Sequence, residues 1–498
     1  MKLVQFVMQN PTPLFPGFHL QTLRRRPRSA RQILAEKMAE LKQKSFSQLS
    51  ECFGKYIPAH YLQPAQSGAL SRRRLFSKEN TFWAFLSQIL DADGGCLEVV
   101  RKLQAFVAMQ SKPLPSSSTA AYCQARKRLD LSTLKTLFQH TAQQLQDQPK
   151  TETDPLHCRR VVVVDGTGIS MPDTAENQQV WPQMSNQKPG CGFPQAAICA
   201  CFALRTGTLL SYEVGNKKSH ELPLLRKQWD TFQSGDIFLG DKGFCSFYDV
   251  YCFAERGVDS VITLARRLPV TEAESVKVLG EGDLLIHWKK PVRTKTSSYS
   301  QADWEGLPES LLLRQIKVTV NQPGFRVNTF YIVTTLLDAE DYPANNIADL
   351  YFQRWDVELF FRDIKTTMGM DILRCKTPEM VHKEILMHLI AYNCIRCIML
   401  ESANRKDVSA RRISFKGSVQ ALRQWEPHLN QRAMSDRERN RLILLLYDSM
   451  TRKLIPDRPG RSEPRAVKRR PKPFQLLTAP RHEMIEIKHR SKYRAKAA

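Results

Sequence analysis

A chain of 498 residues, 42% of them hydrophobic, is too long for one small domain and too apolar for a fibre or a disordered tail. Its 74 Lys and Arg against 49 Asp and Glu leave a net charge of +25, which points to a polyanionic partner, nucleic acid before any other. The 12 cysteines have no framework spacing, which excludes a disulfide scaffold and suits free thiols in a reducing cytoplasm.

The chain opens on MKLVQFVMQNPTPLF, where one positive charge and the interruptions at Gln5 and Gln9 do not make a secretory signal, so a cytoplasmic location is expected. Residues 1–150 read as a helical, DNA-binding N-terminal region with basic clusters at Arg24 to Arg31 and Arg72 to Arg74. Within it the loop KPLPSSSTAAYCQARKRL offers Ser117 or Ser118 as the cap of a helix carrying Arg126, Lys127 and Arg128. Those three cations suit a phosphate backbone, although a solvated helix face has the same pattern.

From Arg159 the character changes, because VVVVD is an unbroken β-branched run of the kind a strand buried on both faces needs. Residues 151–266 form the first part of a sheet core: the strands QAAICACFALRT and GTLLSYEVG joined by a turn at Thr206 and Gly207, then a helix from Ser219 to Phe232. The short strand GDIFLGD follows, then the helix SFYDVYCFAERG, stopped at Gly257, and the strand DSVITLARR. Residues 267–324 break into short strands with Gly and Ser turns and read as an all-β insertion. The core resumes over 325–380 with the strand FRVNTFYIVTTL and one long helix from about Asn346 to Met368. A helical region occupies 381–454, and its apolar run Ile385 to Leu400 contains His388, Asn393 and Arg396, which makes it a buried helix and leaves no membrane span. Cys394 and Cys397, like His382 and His388, fit core packing better than zinc, since no second ligand pair follows. The tail, residues 455–498, is Pro-rich; from Arg452 onward 15 cations face 4 anions, a formal charge of +11, in a tract expected to be extended without a partner. The fold class is α/β, a mixed sheet with flanking helices.

Asp165 and Asp241 stand where an apolar strand gives way to a loop, and carboxylates at strand ends face the crevice where sheet proteins bind ligands. Either acid alone is as readily a turn or cap residue; the pair suggests a site for two hard cations such as Mg²⁺, which take oxygen ligands and act on phosphodiesters. On the helix YFQRWDVELFFRDIKTTMG, with Tyr351 at zero, Arg354 falls at about 300°, Glu358 at about 340°, Arg362 at about 20° and Lys365 at about 320°. One face thus carries an acid among three cations, while Phe361, Ile364 and Met368 pack on a core.

The spacing of Tyr351, Arg354, Glu358 and Lys365 resembles the Y-R-E-K signature of bacterial insertion-sequence transposases of family four, within the DDE superfamily. VVVVDGTGISMPD and FLGDKGFCS look like that family's segments around its first and second aspartates. The likeness covers roughly residues 110 to 400 well, the basic tail less specifically and the first hundred residues poorly. It implies a ribonuclease-H-like core, metal binding and catalysis by Asp165, Asp241 and Glu358, and DNA contacts by Tyr351, Arg354 and Lys365. It also implies a tryptophan that stacks on a flipped base, for which Trp288 and Trp304 are the candidates. The implied activity is cut-and-paste transposition of an insertion sequence, by hydrolysis and strand transfer at inverted-repeat ends. Two Mg²⁺ ions, with Mn²⁺ as a substitute, double-stranded DNA, a homodimer on the DNA ends and a location at the bacterial nucleoid go with it. A structure-specific nuclease of the same fold and an inactive DNA-binding protein are the alternatives.

Overall fold

The valines at 161–164 gain most by extending between two apolar layers, and they open the first strand of a nine-stranded mixed sheet. The computed structural model describes residues 49–64, 75–108, 113–145, 156, 158–185, 188, 190, 192–216, 220–264, 270–293, 299–320, 329–429, 435–456, 483–487 and 492–495. The basic clusters at Arg24 to Arg31 and Arg72 to Arg74 lie outside these residues.

The strands are β1 (Val161–Ser170), β2 (Gln195–Ala203), β3 (Thr208–Asn216), β4 (Ile237–Gly240), β5 (Asp259–Thr263), β6 (Lys277–Gly280), β7 (Asp283–Lys289), β8 (Ser310–Thr319) and β9 (Thr329–Thr334), in the order β3-β2-β1-β4-β5-β9-β8-β7-β6. Among these nine strands β1–β4 and β4–β5 are the parallel pairs. The stretch expected to be an all-β insertion therefore does not form a separate sheet: β6, β7 and β8 extend the core sheet beyond β9, and a short helix, Gln301–Glu305, interrupts them. The reason is pairing, since β9 presents one edge to β5 and the other to β8.

Alternation along β1 sends Val163 to one side of the sheet and Val162 and Val164 to the other, and each side has its own core. The second side is covered by α7 (Glu221–Arg226) and α8 (Phe247–Glu255) through Leu224, Leu225, Val250 and Phe253. The first side meets the helices α1 (Leu49–Phe53), α2 (Lys78–Leu90) and α5 (Leu131–Gln144) that precede the sheet, together with those that follow it, while α3 (Cys96–Ala108) and α4 (Ala120–Arg128) pack on α2. Of the latter, α12 (Pro378–Asn404) is the hub, packing on α2 and α5 as well as on α13 (Phe415–Leu429) and α14 (Asp436–Thr451). It is long and apolar enough to cross a membrane, but 89% of its apolar window is buried inside the protein. Its Asn393 side chain bonds both the N–H and the carbonyl of Leu209 at 3.0 Å, which satisfies backbone groups of the edge strand β3. Its Tyr392 hydroxyl donates to the carbonyl of Gly207, the β2–β3 turn residue held at φ 69° where a side chain would be strained. Cys394 and Cys397 are buried free thiols in this helix, and His388 is buried there too.

Three expectations for the flanks change. Arg126 does not face outward for phosphate: it is 9% exposed, its guanidinium donates to Gln88 Oε1 at 3.2 Å and it lies 4.9 Å from the Phe85 ring. On a short helix wedged beside α2 and α3, that face belongs to the core; Lys127 is the exposed cation. Neither Ser117 nor Ser118 is the cap: the N-cap position is Thr119, whose side chain makes no capping bond, and Ser118 only accepts from Ala120 N at 3.2 Å ahead of the helix. The C-terminal tail is not wholly extended, because Met484–Ile487 (β10) pairs antiparallel with Lys492–Ala495 (β11).

Candidate active site

Asp165 does not end its strand. β1 continues to Ser170 along β2, while its parallel pairing with β4 ends at Val163 because β4 stops at Gly240; at its far end a single parallel bridge joins Ser170 to Ile372. Asp165 thus stands beside the gap that opens where β4 ends, on the same side of the sheet as Val163. Asp241 enters that gap directly, capping the turn Lys242–Phe244 by accepting from Gly243 N at 2.7 Å. Asp165 accepts from Gly166 N at 2.7 Å.

Burial pushes the Asp165 carboxyl up to about 6, and the negative charges of Asp241 and Glu221 push in the same direction; the Gly166 N–H and the Arg354 cation oppose them. The two aspartates are therefore close enough to feel each other. Nothing in the sequence singles out Glu221. It is the first residue of α7, five positions after β3 ends at the same margin of the sheet, and an acid opening a helix is too common to flag alone.

The long helix expected over Asn346 to Met368 is four pieces: α10 (Ala344–Phe352), a 3₁₀ turn Gln353–Trp355, α11 (Asp356–Arg362) and a π-helical turn Asp363–Thr367. Overwinding and then underwinding rotate the stripe, so its members differ in exposure. Tyr351 is 7% exposed, with its hydroxyl 2.8 Å from Thr263 Oγ1 at the end of β5. Arg354 is also 7% exposed; its guanidinium carbon lies 4.8 Å from the Trp355 ring and its Nε has no hydrogen-bond partner among the described residues. Lys365 donates to Thr167 Oγ1 at 2.9 Å, tying the π turn to β1 two residues past Asp165. Glu358 sits between these anchors and is exposed. Arg362 is exposed as well, and lines a separate cavity with Arg396 and Phe415. Packing of Phe361 on Phe202, with ring centroids 5.3 Å apart, fixes the helix against β2.

The tryptophans sit together in the segment between β5 and β9. Trp304 is 7% exposed and stacked on Tyr299 at 5.2 Å, while Trp288 is half-buried and meets Phe247 edge-on at 5.4 Å. Tyr299 stacks in turn on Tyr248 at 4.5 Å, and the Arg226 guanidinium lies 5.0 Å from Tyr248. Trp304 is thus a buried ring at one end of a stack, and Trp288 keeps more of its surface in solvent.

Asp165 thus feels the charges of Asp241, Glu221 and buried Arg354, and Lys365 is tied to β1 two residues beyond it. Comparison with known proteins gives this arrangement a context. Residues 156–394 match the family described as "Transposase DDE domain", and residues 43–139 match "Insertion element 4 transposase N-terminal". The chain is 27% identical over 427 residues to the transposase InsG for insertion sequence element IS4 of Escherichia coli K12, an alignment covering 84% of this chain and 90% of that protein. A shorter likeness, 36% over 135 residues, covers 26% of this chain and 35% of a probable transposase for IS5377 from Geobacillus stearothermophilus. Among solved structures, a piggyBac transposase synaptic complex with hairpin DNA matches with a TM-score of 0.39 and 12% identity, over 84% of this chain and 86% of that one. With its sheet-bearing segment in the DDE domain family, its N-terminal segment in the insertion element 4 family, and a relative aligned along most of both chains, this DNA transposase belongs to the IS4 family of DDE transposases.

Proposed function

We propose that Asp165, Asp241 and Glu358 are the carboxylate triad of a ribonuclease-H-like core, at which the chain cuts its element free and pastes it into target DNA. The observation that carries this reading is the meeting of Asp165 and Asp241 in the gap beyond β4, under the arginine of the turn that leads into the Glu358 helix.

The donor set fits hard cations, being carboxylate oxygen throughout, and the upward push on Asp165 marks a place where a positive ion would relieve crowded negative charge. Among the described residues no three Asp, Glu, His or Cys side chains are yet grouped tightly enough to hold an ion, so the three acids would close on it. Two divalent ions, Mg²⁺ or Mn²⁺ in its place, would polarise the scissile phosphate and activate the attacking water.

The chain's own groups orient the DNA. The Arg354 guanidinium, buried with an unused Nε donor, offers a planar fork to phosphate oxygens, and Trp355 and Tyr351 hold it in place. Lys365, held by Thr167, adds a second cation further along β1, and Tyr351, tied to Thr263, locks the helix to the end of β5. In the first step water attacks phosphorus and the P–O3′ bond breaks, leaving a 3′-hydroxyl. In the second that hydroxyl attacks a target phosphodiester and displaces a target 3′-oxygen. Of the two tryptophans, Trp288, with the more exposed ring, is better placed to receive a flipped base. Two copies would hold the two ends, at the nucleoid of a bacterial cell.

Asp165→Asn, Asp241→Asn and Glu358→Gln are each expected to abolish strand cleavage in Mg²⁺ while DNA binding stays within a few-fold of wild type. Losing a metal costs several kcal/mol of barrier and each 1.36 kcal/mol is about tenfold, so a variant retaining a tenth of wild-type cleavage would remove that residue from the triad.

A further inference from the structure

Glu221 reaches the same gap from the opposite side of the sheet. Gly166, next to Asp165, points toward the side that α7 covers, and a Cβ placed on it would fall within the Glu221 carboxylate. The absent side chain is what lets that carboxylate approach the strand. Its other oxygen lies 4.0 Å from where a Cβ on Gly243 would stand, and Asp241 Oδ1 lies 3.0 Å from the same point. One carboxylate thus spans from β1 beside Asp165 to the turn that Asp241 caps. α7 is held there by packing on β2, β3 and that turn, and by the ion pair of Arg226 with Asp249 at 2.8 and 2.7 Å. Opposite stands the nine-tenths-buried Arg354, whose Nε lacks a partner among the described residues, so the pocket is prepared for a ligand that brings both positive charge for the acids and acceptors for the arginine. A divalent cation together with a phosphate oxygen meets both needs.

We infer that Glu221 is a fourth carboxylate of the site, one that completes divalent-ion binding with Asp165 and Asp241 before DNA engages. This rests on the proposed triad and adds to it: the carboxylates of Asp165 on β1, Asp241 on its turn and Glu221 on α7, not yet grouped tightly enough to hold an ion, would close on one before DNA engages, and exposed Glu358 would join them once DNA is in place.

The test is Mn²⁺ binding to the full-length, DNA-free protein, measured by electron paramagnetic resonance, for wild type, Glu221→Gln, Gly166→Ala, Asp165→Asn, Asp241→Asn and Glu358→Gln. Glu221→Gln is expected to weaken binding by about ten- to a hundredfold, more than Glu358→Gln does. Gly166→Ala, which displaces the same carboxylate without removing it, is expected to weaken binding as well and carries the test alone should Glu221→Gln not fold. Wild-type affinity in Glu221→Gln or in Gly166→Ala, alongside loss in Asp165→Asn and Asp241→Asn, overturns the fourth carboxylate and leaves the triad standing. Wild-type affinity in the two aspartate variants overturns both.

Discussion

Arg354 shows how much of this site is decided one residue at a time. A guanidinium keeps its charge at any working pH, and burying it with a donor unused is costly unless something supplies the acceptor. The aromatic rings of Tyr351 and Trp355 and the charge of Asp165 compensate only in part, and on the proposed reading a phosphate would supply what is missing. Arg354→Ala is expected to lower strand cleavage and joining about a hundredfold by misplacing the DNA, with Mn²⁺ affinity unchanged. Arg354→Lys is expected to be impaired too, because a point charge does not reproduce a bidentate contact. Nicking of intact ends and joining of pre-cleaved ends, assayed separately, decide it: wild-type rates at both steps in either variant would reduce Arg354 to a packing residue. The signature spacing makes Arg354 legible in the sequence, whereas Glu221 is not, since its meaning depends on the missing Cβ of Gly166 across a sheet.

At the scale of elements, α12 forms the buried centre that its composition announces. The polar residues that interrupt its apolar run each meet a distant part of the chain. Asn393 bonds β3, Arg396 pairs with Asp363 of the π turn at 3.0 Å, and His388 is buried near Arg374. The Arg396 pair ties the hub helix to the segment that carries Lys365, so the underwound turn is held from both sides. Burial first, and the Arg374 charge after it, hold the His388 pKa down at about 3, below its ordinary value of 6.5. The unfolded chain therefore takes up a proton that the folded chain refuses. The contribution is complete above about pH 6.5 and is lost as pH falls toward 3, at about 1.4 kcal/mol per pH unit. His388→Leu is expected to flatten the fall in unfolding midpoint between pH 6.5 and 4.5, as followed by tryptophan fluorescence. An acid sensitivity equal to wild type would show that His388 is protonated in the folded protein.

For the molecule as a whole, the nine-stranded sheet organises both cores. Helices from before and after it share the core on one side, and the strands of the expected insertion lengthen it on the far edge. Buried ion pairs pin that edge: Arg314, fully buried, holds Asp283 of β7 at 2.8 and 2.6 Å and also reaches the carbonyls of Asp338 and Tyr342. Charge outside the sheet is expected to add affinity without adding sequence preference. Truncation after Leu454 removes most of the +11 that the chain carries from Arg452 onward, so binding to any duplex is expected to weaken and its salt dependence to flatten, by about 0.9 in slope for each phosphate no longer neutralised. Titration at several salt concentrations, on element-end and unrelated duplexes, checks this. Disappearance of the preference for the ends with an unchanged slope would mean that the tail reads bases.

By itself the sequence determined the strands of the core and placed Asp165 and Asp241 on or next to them, and it gave the stripe around Glu358 and the polyanionic partner as expectations. Each is written in local terms: β-branched runs, an acid after an apolar strand, spacing along a helix, and net charge. Only the tertiary structure decided that β1 runs on past Asp165, because that depends on where its neighbour β4 stops. It decided likewise that the glutamate helix is four pieces, since the 3₁₀ and π turns answer to anchors on β1, β5 and α12 that lie far away in the chain. Arg126 turns inward and Glu221 turns toward the aspartates for the same reason. The periodicity of a segment states which of its faces are apolar, but what stands opposite each face is settled by partners that no local pattern contains.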